Sequence, residues 1–341
     1  MSATSPSEVA RLPGERKEGG CTFVRADGSR CPHAPPQSGG LCHWHDATVK
    51  KSGSKLKEQL ESLVREGESL EGFQLQGADL SHVHLTHRQR AKSVNLTRAN
   101  LTRANLQDAH LFHIDLRHSS LLKADFRRAN LNYAQLDGVN LLGADIRETK
   151  LEHIEWGRHV LQEFTARDLM RQGKVFESHE RYAEAEETYR ALSLAMADRG
   201  HANAAGRFFQ SQMVMRRMQL PLWSQRRLWS KMADLICGYG EVPGRVFAFA
   251  SMVILLSAAV YLFGGIAGLH GPIAVDPEAS LLDNFLTFLT CVYFSVVTFT
   301  TVGYGDIHPE GWVRACAVLE AFTGAFSISL FVVVFVKRMT R

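Results

Sequence analysis

Between residues 73 and 156 a large apolar side chain recurs at every fifth position: Leu75, Leu80 and Leu85, then unbroken from Leu96 through Phe126, Leu151 and Trp156. A helix repeats about every 3.6 residues and an open strand about every 2, so a period of five cannot form one stripe on either. A square coil accommodates it. With one five-residue step per side, each central Leu and the small residue two positions earlier, such as Ala78, Ala99, Ala104, Ala124, Ala129 or Ala144, point inward. The other three positions point outward, and stacked coils bury one continuous core. Leu85 and Leu96 are eleven apart, so one residue is expected to be inserted in an Arg-rich turn near Arg88 and Arg90.

This A(D/N)LXX pattern resembles the pentapeptide-repeat family, over about 84 residues. The resemblance implies a right-handed quadrilateral β-helix for 73–156. Arg98, Arg103, Arg117, Arg127, Arg128 and Arg147 face outward, diluted by Asp108, Asp137 and Glu148. That face reads as solvated and does not favour nucleic acid; a protein or ligand partner stays open. His82, His84 and His87 also read as facing water, the alternative being a metal cluster. Within 51–72, Leu56, Leu60, Leu63 and Val64 predict a helix, N-capped by Ser54, that covers the first coil's open edge.

Of six cysteines, Cys237, Cys291 and Cys316 lie in or beside apolar segments, where a free thiol acts as a small hydrophobe. Cys21, Cys31 and Cys42 lie in a Gly/Pro-rich stretch within 1–50. With His45 they form C-x9-C-x10-C-x2-H, a donor set suited to a closed tetrahedral Zn2+ site, with His33 and His43 as rival fourth ligands. Gly28, Gly39 and Gly40 let the loops fold back. The spacing resembles the WRC-type zinc knuckle of plant regulators, including Asp27-Gly28 after the first Cys, without that family's naming tryptophan. Residues 1–20 hold Arg11, Arg16 and Lys17 and no apolar run, so the N-terminal part is expected to stay cytoplasmic.

After Trp156 the period becomes helical. Tyr182, Ala185, Tyr189, Leu192 and Met196, then Ala205, Phe208, Phe209 and Met213, predict a hairpin around Gly200 inside a connector, 157–221. The spacing from Tyr189 to Phe209 is similar to one tetratricopeptide repeat, which leaves room for a partner surface. In 222–245, Leu222, Trp223, Leu228, Trp229, Met232 and Ile236 oppose Arg226, Arg227 and Lys231, the composition of a helix lying in a membrane interface.

Composition matters only when split. The 96 residues after Arg245 hold four Lys/Arg and six Asp/Glu, against 35 and 29 before it. Val246 to Leu269 is uncharged for 24 residues and Ala315 to Val336 is broken only by Glu320, so each is read as a span of the lipid bilayer. Phe285 to Thr300 is apolar but too short to span, and runs into Thr301-Val302-Gly303-Tyr304-Gly305-Asp306. Glycine-rich backbone at membrane depth is tolerated only inside protein or against a water-filled cavity.

The run Thr301-Val302-Gly303-Tyr304-Gly305 resembles the TVGYG filter of potassium channels. Residues 246–341 resemble the two-helix pore domain of tetrameric potassium channels: outer helix 246–269, pore helix 283–299, filter 300–306, inner helix 314–337. The resemblance implies a homotetramer whose carbonyls at Thr301, Val302, Gly303 and Tyr304, with the Thr301 hydroxyl, form rings around K+. Tyr304 is expected to pack on Tyr293 and Phe294, Asp306 to attract cations, and Thr300, Tyr293, Glu320 and Gly324 to support the filter or the gate. Some family members carry a carboxylate where this chain has Val297. Glu320 either hydrogen-bonds behind the filter or sits protonated against a helix; Gly324 is either a gating hinge or a close helix contact.

Arg245 precedes the first span and Lys337, Arg338 and Arg341 follow the second, while 270–313 hold five acids and no Lys or Arg. The positive-inside rule puts both termini in the cytoplasm of a multi-pass cell-membrane protein. The chain carries no arginine ladder for voltage sensing and no acid/base pair, activated nucleophile or phosphate loop, so it is expected to be no enzyme. With five residues after Val336, any sensor is expected to be N-terminal. A membrane-anchored scaffold with a vestigial pore, or a stress or defence pore, are the alternative functions.

Overall fold

A computed structural model describes residues 20–35, 40–86, 93–268 and 271–339. Gly39, His87, Arg88, Arg90, Leu269 and Arg341 lie outside the described residues. The chain divides into two compact units, residues 1–174 and 175–341.

In the first unit α1 (Leu56–Glu66) precedes a coil that includes the short parallel strands β1 (Val94–Asn95) and β2 (Ile114–Asp115). Parallel bridges join Asn100 to Ser120, Asn105 to Asp125 and Asn130 to Lys150, a step of 20 residues or four pentads per coil. Across the earlier interruption the step is 26, from Gln74 to Asn100 and His84 to His110. The interruption therefore amounts to six residues rather than one. Leu75, Leu80, Leu96, Leu101 and Phe126 are buried with Ala78, Ala99, Ala104 and Ala124, as the pentad predicts. Ile146 and Trp156 are only half-buried, because the last coil has no coil beyond it.

Two local devices explain the rest of the pentad. Each side ends in a turn such as Ala104 N to Leu101 O, 3.0 Å, which puts the residue two after the central apolar position in the left-handed region: Arg103 at φ 58°, Lys123 at 55°, Gly143 at 66°. The Asp or Asn before each centre accepts from the backbone N–H two residues on, Asn100 from Thr102 and Asp125 from Arg127. That is an Asx turn, which favours Asp and Asn over other polar residues.

The outward arginines are largely matched within the coil. Arg117 pairs with Asp115 and Arg147 with Asp145, each at 2.6 Å, and Arg128 reaches Asp108 one coil away. His84, exposed, stacks on His110 at 4.4 Å.

Helix α1 does lie on the first coil: Glu61 accepts from His84 N and Lys57 pairs with Asp79. Its N-cap is Lys55, not Ser54, because the helix starts one residue later and Gly53 O accepts from Leu56 N. Residues of 20–35 and 40–50 share the same edge, Ala26 and His45 meeting Glu71 and Trp44 O accepting from Gln74 N. At the far end α2 (Leu161–Arg171) follows the coil, with Leu161 N donating to Val139 O and Gln162 to Asn140.

The second unit opens with the hairpin α3 (Val175–Asp198) and α4 (Ala202–Met218), turned at Gly200 with φ 74°. Tyr182, Ala185, Tyr189, Leu192, Met196, Ala205 and Phe208 are buried; Phe209 and Met213 are half-buried. In α5 (Gln225–Cys237) the apolar face is open, with Trp229 and, just before the helix, Trp223 exposed.

After a short turn at Gly238–Gly240 comes α6 (Pro243–Gly264), with Pro at its first turn. The uncharged run is helical only to Gly264: Gly265, at φ 76°, ends the helix and the chain enters β3 (Ile266–Gly268). β3 pairs antiparallel with β4 (Gly271–Ile273) and β5 (Ile307–Pro309). Between them α7 (Leu281–Phe299) starts at Ser280, whose side chain accepts from Asp283 N, and α8 (Val313–Met339) closes the chain. α6, α7 and α8 are long and apolar enough to cross a membrane. At 19 residues α7 is longer than the apolar stretch from Phe285 implies, because Leu281 and Leu282 extend it. The three helices pack around Ala258, Tyr261, Cys291, Phe294, Val313 and Ala317.

Candidate pore and metal sites

The segment 300–306 is held at both ends, by the last turn of α7 and by β5. Thr300 N donates to Val296 O at 2.9 Å, Thr301 N to Thr298 O and Val302 N to Val297 O, each at 3.0 Å. Beyond them the backbone alternates in hand, with φ 57° at Thr301, 59° at Gly303 and 80° at Gly305. Glycine adopts such angles without the side-chain clash other residues meet. Among the described residues, none donates a hydrogen bond to the carbonyls of Thr301, Val302, Gly303 or Tyr304. A row of unpaired carbonyls between apolar helices is costly in one chain and becomes useful when a cation supplies the missing partner.

Around this segment the sequence-predicted residues divide. Tyr293 donates to Asp306 Oδ2 at 2.9 Å. The expected packing of Tyr304 on Phe294 does not occur within one chain: Phe294 meets Tyr261 edge-on at 4.9 Å, and Tyr304 is 70% exposed. Val297 is buried and supplies no carboxylate. A carboxylate comes instead from α8, where buried Glu320 accepts from Tyr261 Oη and Ser295 Oγ. One carboxyl thus ties α6, α7 and α8 together. Sequence inspection found Glu320 but not its two donors, whose only signal was a polar atom in an apolar run. Gly324 is in close contact with α7, since a Cβ there would overlap the Phe299 carbonyl.

The first turn of α6 and the last turns of α8 meet α4, α5 and the turn after α5 in a charged junction. Lys337 pairs with Glu241 at 2.6 Å and lies 5.3 Å from the Phe209 ring centre. Arg245 and Arg217 both bind Asp234, at 2.6 and 2.9 Å. Burial alone would raise the Asp234 carboxyl; hydrogen bonds from Arg217, Gln210 and Arg245 outweigh it and hold the group below the usual carboxylate range. Cys237, Val246 and Val334 form the apolar floor, and a cavity of about 260 Å³ opens beside Arg207, Gln210, Glu241 and Arg338.

In the first unit Cys21, Cys31, Cys42 and His45 are all buried, with ligand atoms within 4.8 Å of one another. Zinc–sulfur bonds of about 2.3 Å place tetrahedral sulfurs about 3.8 Å apart. Cys31 and Cys42 Sγ are 3.8 Å apart, and His45 Nδ1 lies 3.1 Å from Cys42 and 3.7 Å from Cys21. His45 Nε2 donates to Glu71 O at 2.8 Å, which turns Nδ1 toward the sulfurs as metal-bound histidines require. Of the rivals, His33 pairs with Glu68 and His43 is exposed. Burial pushes the Cys31 thiol up to about 12 and Cys42 upward, and pulls His45 down. A bound cation takes the place of those thiol protons.

These features define a membrane protein with a channel-type helical unit joined to a pentad coil. Comparison with known proteins agrees: residues 248–341 match the ion channel family model, and 91–117 and 109–147 match pentapeptide repeats in eight copies. The chain therefore carries an ion-channel domain and a pentapeptide-repeat domain. Among solved structures, it is 31% identical to the pentapeptide repeat protein Rfr23 of the cyanobacterium Cyanothece 51142, over 26% of this chain and 56% of that one, TM-score 0.23. It is 36% identical to HetL, a pentapeptide repeat protein involved in heterocyst differentiation regulation in Nostoc sp. strain PCC 7120, over 26% of this chain and 38% of that one, TM-score 0.23. The chain thus spans about half or less of these relatives' length. No curated protein matches it.

Proposed function

We propose that four copies of the chain form a potassium-selective channel of the cell membrane that passes K+ down its gradient. The carrying observation is the run Thr301–Tyr304, whose carbonyls no described residue engages and whose alternating hand lets them face one axis. In the tetramer they replace the ion's water shell, with the Thr301 hydroxyl as the innermost ring. α7 then acts as a re-entrant pore helix, α6 and α8 as the two spans, and both termini lie in the cytoplasm. Glu320, with Tyr261 and Ser295, holds the pore helix in place behind the filter.

Gating is assigned to the cytoplasmic part. Lys337 and Glu241 join the end of the inner helix to the segment before the outer one, so a pull on α4 or α5 reaches the inner helix directly. The exposed tryptophans of α5 fit a helix seated in the lipid interface. The coil is assigned the right-handed quadrilateral β-helix, and the Cys/His cluster is assigned Zn2+, a structural ion here with no catalytic role.

Purified protein in liposomes tests the reading. K+ flux is expected from the wild type and not from Gly303→Ala; an absence of selective flux from wild type at every ligand, pH and zinc level tried would instead favour an anchored scaffold.

A further inference from the structure

We infer that the Cys/His metal site is the lock that closes the open edge of the first coil; this rests on the zinc assignment above. In the coil, each rung's N–H is accepted by the coil before it: Asn100 N by Phe73 O, Asn105 N by Ala78 O, His110 N by Val83 O, at 2.8 to 2.9 Å. The first coil has no predecessor, so Gln74 and His84, at the same ladder positions, need acceptors from elsewhere. His84 N uses Glu61 of α1. Gln74 N donates to Trp44 O at 2.8 Å.

Trp44 stands between the ligands Cys42 and His45, in a turn closed by His45 N to Cys42 O at 3.0 Å. Its ring stacks on Phe73 at 5.1 Å, 5° from parallel. The cluster's other contacts converge on the same edge. His45 binds Glu71 O, Ala26 N donates to the buried Glu71 carboxylate at 2.9 Å, and Gln76 donates to Ala47 O. Among the described residues, the 21–31 loop meets the 42–45 turn through the ligands themselves, by Phe23 stacked on His45 at 3.9 Å and Cys42 N donating to Cys21 Sγ at 3.2 Å, so an ion on those ligands fixes the loop against the turn. With the ion bound, the Trp44 carbonyl extends the ladder by one rung. Without it, the Gln74 edge is left open to pairing with another chain.

The test uses the full chain in detergent, with zinc per chain by elemental analysis and backbone hydrogen exchange by mass spectrometry. One zinc per chain and slow exchange are expected in the loaded protein. After a chelator strips the ion, exchange in peptides covering 70–80 is expected to rise roughly tenfold, with 120–140 unchanged, and zinc to restore it. Cys42→Ser supplied with zinc is expected to match the stripped wild type. Zinc lost with protection at 70–80 retained overturns the lock and leaves the zinc assignment standing. So does a loss of protection spread equally over 120–140. A wild type that takes up no zinc when supplied in excess overturns both.

Discussion

The coil and the filter use the same backbone device for opposite ends. Both place residues in the left-handed region at regular intervals, Arg103 and Gly143 in one, Thr301, Gly303 and Gly305 in the other. In the coil each such residue completes a turn, and carbonyls such as Leu101 O and Ser120 O are taken by the turn or by the neighbouring coil. In the filter segment no described residue donates to the carbonyls of Thr301 to Tyr304. The difference lies in where the chain goes after each left-handed residue. The coil returns to a ladder every five residues, whereas the filter alternates and never re-enters one until β5.

The same substitution, glycine to alanine, has unequal consequences in the two regions. Gly303→Ala, at φ 59°, is expected to abolish K+ flux in liposomes, since the strain falls on a ring that has to match an ion. Gly143→Ala, at φ 66° with Lys123 Cγ 3.2 Å from the new Cβ, is expected to cost only about 1 kcal/mol in coil unfolding, because Lys and Arg already occupy equivalent positions. Equal tolerance at the two sites would dissolve the contrast.

Next in size is the carboxyl behind the filter. Glu320→Ala leaves the buried Tyr261 hydroxyl without its acceptor, while Ser295 keeps Ile254 O, and is expected to destabilise the pore unit by about 3 kcal/mol, read as a lower Tm of the assembled protein. Gly324→Ala is expected to cost about 1–3 kcal/mol by pushing on the Phe299 carbonyl, so any gating change it produces reports the contact before the hinge. Glu241→Gln removes the ion pair at the inner helix and is expected to shift the ratio of open to closed time about fivefold in single-channel records. No shift would remove the junction from the gating path.

The smallest effect is electrostatic. Hydrogen bonds from Arg127 hold the Asp125 carboxyl down at about 2, below its ordinary 3.8. A depressed carboxylate stabilises the fold above the unfolded value, so this contribution is complete near neutral pH and is lost as pH falls from about 4 toward 2. Solvent screening keeps it to roughly 1 kcal/mol or less, and a pH series of coil unfolding reads it against Asp125→Asn.

The inward face of the coil, the hairpin core and the three apolar helices were legible because each rests on spacing alone. What stayed hidden depends on contacts between distant residues. Leu85 and Leu96 sit eleven apart, which looks like one inserted residue, and the pairing of Gln74 with Asn100 and His84 with His110 reveals six. Asp and Asn before each central Leu were visible as a preference but their Asx turns were not. Cys21, Cys31, Cys42 and His45 announced a ligand set, yet nothing in their spacing places Trp44 O on Gln74 N. Likewise Glu320 stood out as a charge in an apolar run, while Tyr261 and Ser295 blend into theirs.

In the proposed tetramer the unpaired carbonyls select K+. The most direct measurement is the reversal potential of the purified channel in a planar bilayer with K+ on one side and Na+ on the other. A reversal far from zero, on the side set by K+ as the main permeant ion, is the predicted result. A reversal near zero, with current present, would contradict the account.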